Sequence, residues 1–394
     1  MRLSRDPAAR RRLAALIAVA AAALIAGIAA GAGGGGDSVP VEELPAPEQA
    51  TRQARGAAAR LPLEAQVGQL LVMAFDGPSV PEYIRRRLAR SEGAGVVLFG
   101  SNVVDAQSVR ALTRELQRSA RGSALVATDQ EGGEIRNLAF AAPEASAATL
   151  GDVEAAGAAA RDGARDLRAA GVNVNLAPVA DVASGPASVL AGRAYPGGPV
   201  EVAQLATAAV QAHARERVGA TVKHFPGLGG ATVNTDDGPA TIEDSRGTLE
   251  AVALPPFRSA VRAGAPLVMA SHALYPALDP DAIASQSRPI LVELLRGRLA
   301  FEGAVITDSI EAQAVLDRSD IATAAERSVR AGADIVLMTG SGSWNLVYPR
   351  LLARARSDPG FRARVGEAAA RVLALKRRLG LAVPRRQLAA APQA

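Results

Sequence analysis

A closed (β/α)8 barrel, beginning near Leu61, is the fold this sequence predicts. Three observations point to it. Short apolar runs alternate eight times with longer segments of helical period, which is the sequence form of a parallel sheet wrapped by helices. The 394-residue length suits one barrel with an extension. Polar residues able to do chemistry gather just after the apolar runs, at the strand ends where barrels of this class keep their sites.

The first 60 residues stand outside that pattern. Arg10, Arg11 and Arg12 precede an apolar run, residues 13–32, of twenty residues without a charge, about the length that crosses a bilayer. Residues 1–32 therefore read as a transmembrane anchor or a signal peptide, the small residues of 26–32 offering a cleavage site. In both cases the flanking arginines keep that end cytoplasmic and the remainder faces out, giving an extracytoplasmic protein, anchored or secreted. Residues 33–60 open on four glycines, carry no sustained apolar period and read as a flexible linker. The chain has no cysteine, which excludes both a lipidated N-terminal cysteine and a disulfide framework.

The barrel is assigned to residues 61–380. Its strands are expected at 69–74, 95–99, 124–128, 172–176, 220–223, 267–270, 304–307 and 335–338. Between them, helices are expected at 81–90, 106–118, 153–170, 200–217, 248–263, 290–299 and 321–331. A doubly wound open sheet is the rival architecture, because it has the same alternation. In 361–379 the apolar Val365, Ala368, Val372 and Leu375 fall three or four apart, so a last helix packs on the barrel. Residues 381–394 form a tail too short for a second domain.

The net charge of +5 and pI near 10.1 invite a nucleic-acid reading. Residues 1–60 hold eight Arg against five acids, a net of +3, which leaves +2 for all the rest. No basic block or aromatic stacking series appears there, so nucleic acid is not an expected partner. Lys223 and Lys376 are the only lysines among 44 basic residues, so Arg is the default cation and a lysine needs a specific reason.

The residues following the strands are the candidate site. Strand three leads into Asp129-Gln130-Glu131-Gly132-Gly133, strand four into Asn175 and then Asp181, and strand five ends in Lys223-His224-Phe225-Pro226-Gly227. Strand six leads into Ser271-His272 and strand seven into Asp308-Ser309. Taken singly, each could be an ordinary cap or turn. Together they place two of three histidines and one of two lysines on one rim; His213, within a helix, is expected on the surface. The histidines are too few and scattered for a zinc site, and nothing calls for a metal or cofactor.

With Gly192-Arg193-Ala194-Tyr195 and Ile306-Thr307-Asp308-Ser309, these motifs resemble glycoside hydrolase family 3, and specifically its single-domain β-N-acetylglucosaminidases that trim cell-wall fragments. The likeness runs from about Leu61 to Leu379. It implies that Asp308 is a carboxylate nucleophile forming a covalent glycosyl-enzyme, with retention of configuration. It implies that Asp129, Arg193, Lys223 and His224 bind sugar hydroxyls, and His272 joins them as a binding candidate from its place on the rim. It implies a carbohydrate partner, peptidoglycan-derived.

Two departures stand out. The relatives continue Lys-His-Phe-Pro-Gly into a loop whose Asp-Ser-His supplies the acid/base histidine; here Asn234 aligns with the aspartate and Asp236 with the histidine. The candidate donors become Asp236 or its neighbour Asp237. Asn137 falls where relatives carry a sugar-binding arginine, leaving adjacent Arg136 as the candidate replacement. Two functions compete: a retaining glycosidase, and a barrel that binds cell-wall sugar with weak or no turnover.

Overall fold

The computed structural model describes residues 47–384. The apolar run 13–32, the linker up to residue 46 and residues 385–394 of the tail lie outside the described residues. Among the described residues no helix is long and apolar enough to cross a membrane.

All eight expected strands form, as β1 (Leu71–Met73), β2 (Gly95–Leu98), β3 (Leu125–Thr128), β4 (Val174–Asn175), β5 (Gly219–Phe225), β6 (Leu267–Ala270), β7 (Ala304–Ser309) and β8 (Ile335–Leu337). Each pairs in parallel with its sequence neighbours, and β8 returns to β1, where Leu71 and Val72 face Val336 and Leu337. The sheet is therefore closed and the open-sheet alternative is excluded.

Closure explains why the strands are continuous apolar runs. Alternate side chains point to opposite faces, and here both faces are covered. Val72, Val97, Leu125, Ala127, Met269, Ile306 and Ile335 fill the barrel, whereas Leu71, Met73, Val96, Leu98, Val126, Val268 and Val305 pack outward under the helices. Val372 and Leu375 of the terminal helix Pro359–Arg378, with Leu379 just after it, join the interior cluster and close the end opposite the polar rim.

The linker reading of 33–60 is corrected over its second half. Pro47–Ala59 is a helix that packs against Pro359–Arg378, with Ala54, Ala57 and Ala58 buried. Its contact face is alanine, so the large apolar residues that normally mark a buried helix face are absent. The segment expected as one helix over 248–263 is also subdivided: a turn at Arg246–Thr248, a π-helical turn at Leu249–Ala253 and an α-helix at Leu254–Arg262. Pro255 and Pro256 have no N–H to give the preceding turn, which prevents a regular α-helical ladder there.

Candidate active site

Strand ends from seven of the eight strands and the loops behind them surround one pocket of about 380 Å3, lined among others by Asp129, Asn137, Arg193, Lys223, His224, Asp236 and Asp308. Its floor is an ion-pair cluster. Lys223 is buried, and its Nζ lies 2.6 Å from Asp129 Oδ1 and 2.6 Å from Glu131 Oε1. Arg193, delivered by the long loop after β4, grips the same carboxylate in bidentate fashion, at 2.9 Å from Nε to Oε2 and 2.7 Å to Oε1. Burial pushes the Glu131 carboxyl up, but the charges of Lys223 and Arg193 outweigh it and bring it down to about 2. Lys223 is raised above the ordinary lysine value because Asp129 and Glu131 outweigh its own burial. Glu131, Lys223 and Arg193 are thus held ionised, and polar edges of Asp129, Lys223 and Arg193 face the pocket.

Two glycines make this arrangement possible. After β3 the chain turns through Gly132 at φ +97°, where a Cβ would come 2.1 Å from the Ala145 carbonyl oxygen. On the loop after β5, a Cβ at Gly229 would come 1.9 Å from the carbonyl of Val182, one residue past Asp181.

Asp181 is fully buried and orients the next wall. One of its oxygens accepts from the His224 backbone N–H at 2.9 Å and from His224 Nδ1 at 2.7 Å; the other accepts from the Leu228 N–H at 2.6 Å. A carboxylate only accepts, so Nδ1 carries the proton and Nε2 is turned to the pocket, 3.9 Å from Asp308 Oδ2. The peptide bonds Lys223–His224 and Phe225–Pro226 are cis.

Asp308 lies near the end of β7, and its Oδ1 accepts the Ser309 N–H at 2.8 Å. Burial raises its carboxyl, yet His224, His272, Lys223 and the Ser309 N–H together outweigh that and hold it below the ordinary aspartate value. Asp236 moves the other way. It is raised, first by loss of solvent where it faces the pocket and then by the charge of Asp308. Its loop is tied to the segment following β7, because the carbonyls of Thr235 and Asp236 accept from the N–H groups of Ala314 and Gln313 at 3.1 and 3.2 Å.

Asp129, Arg193, Lys223, His224, Asp236 and Asp308 therefore share one pocket, and other sequence candidates fall elsewhere. Asp236 and Asp237 are both exposed, but only Asp236 lines the pocket. Arg136 does not replace the arginine expected at 137: its guanidinium bonds the carbonyls of Ala139 and Ala141 and pairs with Glu144 at 3.3 Å, while Asn137 and Ile135 line the pocket. His272 is not at the pocket wall. It is buried beneath it, with Nε2 donating to the Ser309 carbonyl at 2.8 Å and Nδ1 accepting from the Ser285 hydroxyl at 2.7 Å, so neither nitrogen is left for a ligand. His213, expected on the surface, is buried against β4. Glu131 and Asp181 stand among the strand-end residues of the sequence without a role of their own, and only the distances reveal what they hold.

Residues 62–375 match the glycosyl hydrolase family 3 N terminal domain. The chain is 33% identical over 293 residues to an uncharacterized secreted glycosyl hydrolase of Arthroderma benhamiae, covering 71% of this chain and 82% of that one. It is 34% identical over 279 residues to a beta-hexosaminidase of Xanthomonas campestris, covering 68% and 84%. Among solved structures, the beta-N-acetylhexosaminidase of Beutenbergia cavernae superposes with a TM-score of 0.74 at 33% identity, over 80% of this chain and 98% of that one. The barrel, the order of its strand-end motifs and these likenesses agree: the chain belongs to glycosyl hydrolase family 3.

Proposed function

We propose that this chain is a retaining β-N-acetylhexosaminidase that acts outside the cytoplasm on cell-wall fragments, with Asp308 as nucleophile and Asp236 as acid/base. One observation carries the reading: two carboxyls facing one pocket are driven in opposite directions, Asp308 down and Asp236 up. That divergence supports Asp308 as the ionised nucleophile and Asp236 as the proton donor. An ionised Asp308 oxygen bonds to the anomeric carbon as the glycosidic C–O bond breaks; the electron pair goes to the leaving oxygen, which takes the Asp236 proton. In the second step water attacks the same carbon, Asp236 takes its proton and Asp308 is released. Asp129, Lys223, Arg193 and His224 bind the hydroxyls of the sugar undergoing attack, and His272 positions the backbone next to Asp308.

Export is supported by the arginine-flanked apolar run at 13–32 and by the secreted relative; the β-N-acetyl sugar is supported by the names of the relatives. The departure at the donor position favours a second reading, a binding barrel with little turnover, and kinetics separates the two. A proton donor contributes about 10²–10⁴-fold. Asp236→Ala should therefore slow a natural disaccharide by that order, slow an aryl glycoside with a good leaving group far less, and respond to azide; Asp237→Ala should behave as the parent. A parent that leaves the disaccharide intact, together with no effect of Asp236→Ala on the aryl substrate, would favour the binder.

A further inference from the structure

His213 occupies the buried face of the helix Pro199–Arg215, in line with Val202, Leu205, Ala206, Ala209 and Val210. An aliphatic side chain would suit that stripe better, since burial of an imidazole is costly unless both nitrogens are satisfied. Here both are. Nδ1 lies 2.8 Å from the Ala209 carbonyl, which can only accept, so Nδ1 carries the proton and Nε2 is an acceptor. Burial holds the ring below the ordinary histidine value, consistent with that neutral form. The donor that reaches Nε2, at 3.0 Å, is the side-chain amide of Asn175 on β4.

Asn175 has no freedom left. Its Oδ1 accepts the Gln130 backbone N–H at 3.0 Å, and its amide also donates to the Gln130 carbonyl at 3.1 Å. The Gln130 side chain in turn bonds the carbonyls of Leu138, Ala141 and Ala142 and the Leu138 N–H. Gln130 is thus clamped through its backbone and its side chain, and it stands between Asp129 and Glu131, the two acids that hold Lys223. A change at Gln130 displaces both.

We infer that His213 is a positioning residue: through Asn175 it locks the Gln130 peptide, and thereby sets where Asp129 and Glu131 hold Lys223 for the sugar. The inference rests on the reading of this pocket as the sugar site, and its test separates the two. His213→Leu keeps volume but removes the acceptor, leaving an Asn175 N–H unpaired; His213→Gln puts an amide oxygen near the place of Nε2. With 4-nitrophenyl N-acetyl-β-glucosaminide, His213→Leu should raise KM on the order of tenfold, the scale of one buried hydrogen bond left unmade, while kcat changes little. Amide exchange over residues 129–138 should quicken in the same variant, and His213→Gln should restore both. A parent without turnover would count against the glycosidase reading alone, because amide exchange still reports the clamp. Unchanged exchange over 129–138 in His213→Leu, or a His213→Gln variant as impaired as His213→Leu, would overturn the inference.

Discussion

Replacing Lys223 with Met removes the cation that joins Asp129 to Glu131 and retains most of its volume. The loss can be sized from Glu131, whose side chain is 3% exposed. A carboxyl lowered from 4.5 to about 2 on folding stabilises the fold by about 3 kcal/mol at neutral pH. Because the folded value is the lower one, that stabilisation is present above pH 4.5 and is lost as the pH falls toward 2. Lys223 and Arg193 share it, and the bidentate Arg193 contact remains in the variant, so roughly half is lost through Glu131. Asp129 loses a charge-assisted bond as well, and its 20% exposure keeps that loss near the low end of about 1.5–3 kcal/mol. The sum is about 3 kcal/mol, at the lower edge of what breaking a buried ion pair costs. Urea unfolding at pH 7 measures it, and a series down to pH 2 should show the gap between parent and variant closing below pH 4.5. An unchanged midpoint at pH 7, or a gap independent of pH, would refute the electrostatic reasoning.

Asp181→Asn sets an amide N–H against the donors of His224 or Leu228, so Nε2 of His224 loses its orientation; kcat/KM should fall about 10–100-fold, as measured by steady-state kinetics on the aryl substrate. Asp236 is raised in the folded state, so it can donate only below that raised value, and kcat/KM for a disaccharide should fall as pH rises through it. The same shift means that the folded chain binds the extra proton, so stability should decline as pH rises from 3.8 through that value, and Asp236→Asn should flatten this decline in urea titrations.

The barrel was legible because a closed parallel sheet demands continuous apolar strands at regular intervals, and none of the eight was missed. What was not legible depended on small or broken patterns. Pro47–Ala59 buries only alanines, and Trp344–Ser357, which had no expected counterpart, has Pro349 inside it and arginines along its length. At the site, strand-end position located Asp308, Lys223, His224 and Asp129 without resolving how each is held. Arg136 and Asn137 are adjacent, and only the turn geometry after β3 decides which faces the pocket. His272 follows a strand end just as His224 does, but its ring is drawn under β7 by Ser285 and the Ser309 carbonyl. His213 was misplaced because a polar residue on an apolar helix stripe looks like the edge of the stripe until its partner, Asn175, is known.

A nucleophilic Asp308 forms a covalent bond to the sugar, and mass spectrometry of the protein after incubation with a 2-fluoro glycosyl donor detects that bond. A fluorine beside the anomeric carbon slows hydrolysis of the glycosyl-enzyme, so the intermediate accumulates. One added glycosyl group per chain is expected, located by peptide fragmentation on Asp308 and absent from Asp308→Asn. An adduct on a different carboxyl, or no adduct in a preparation that hydrolyses the aryl glycoside, would contradict it.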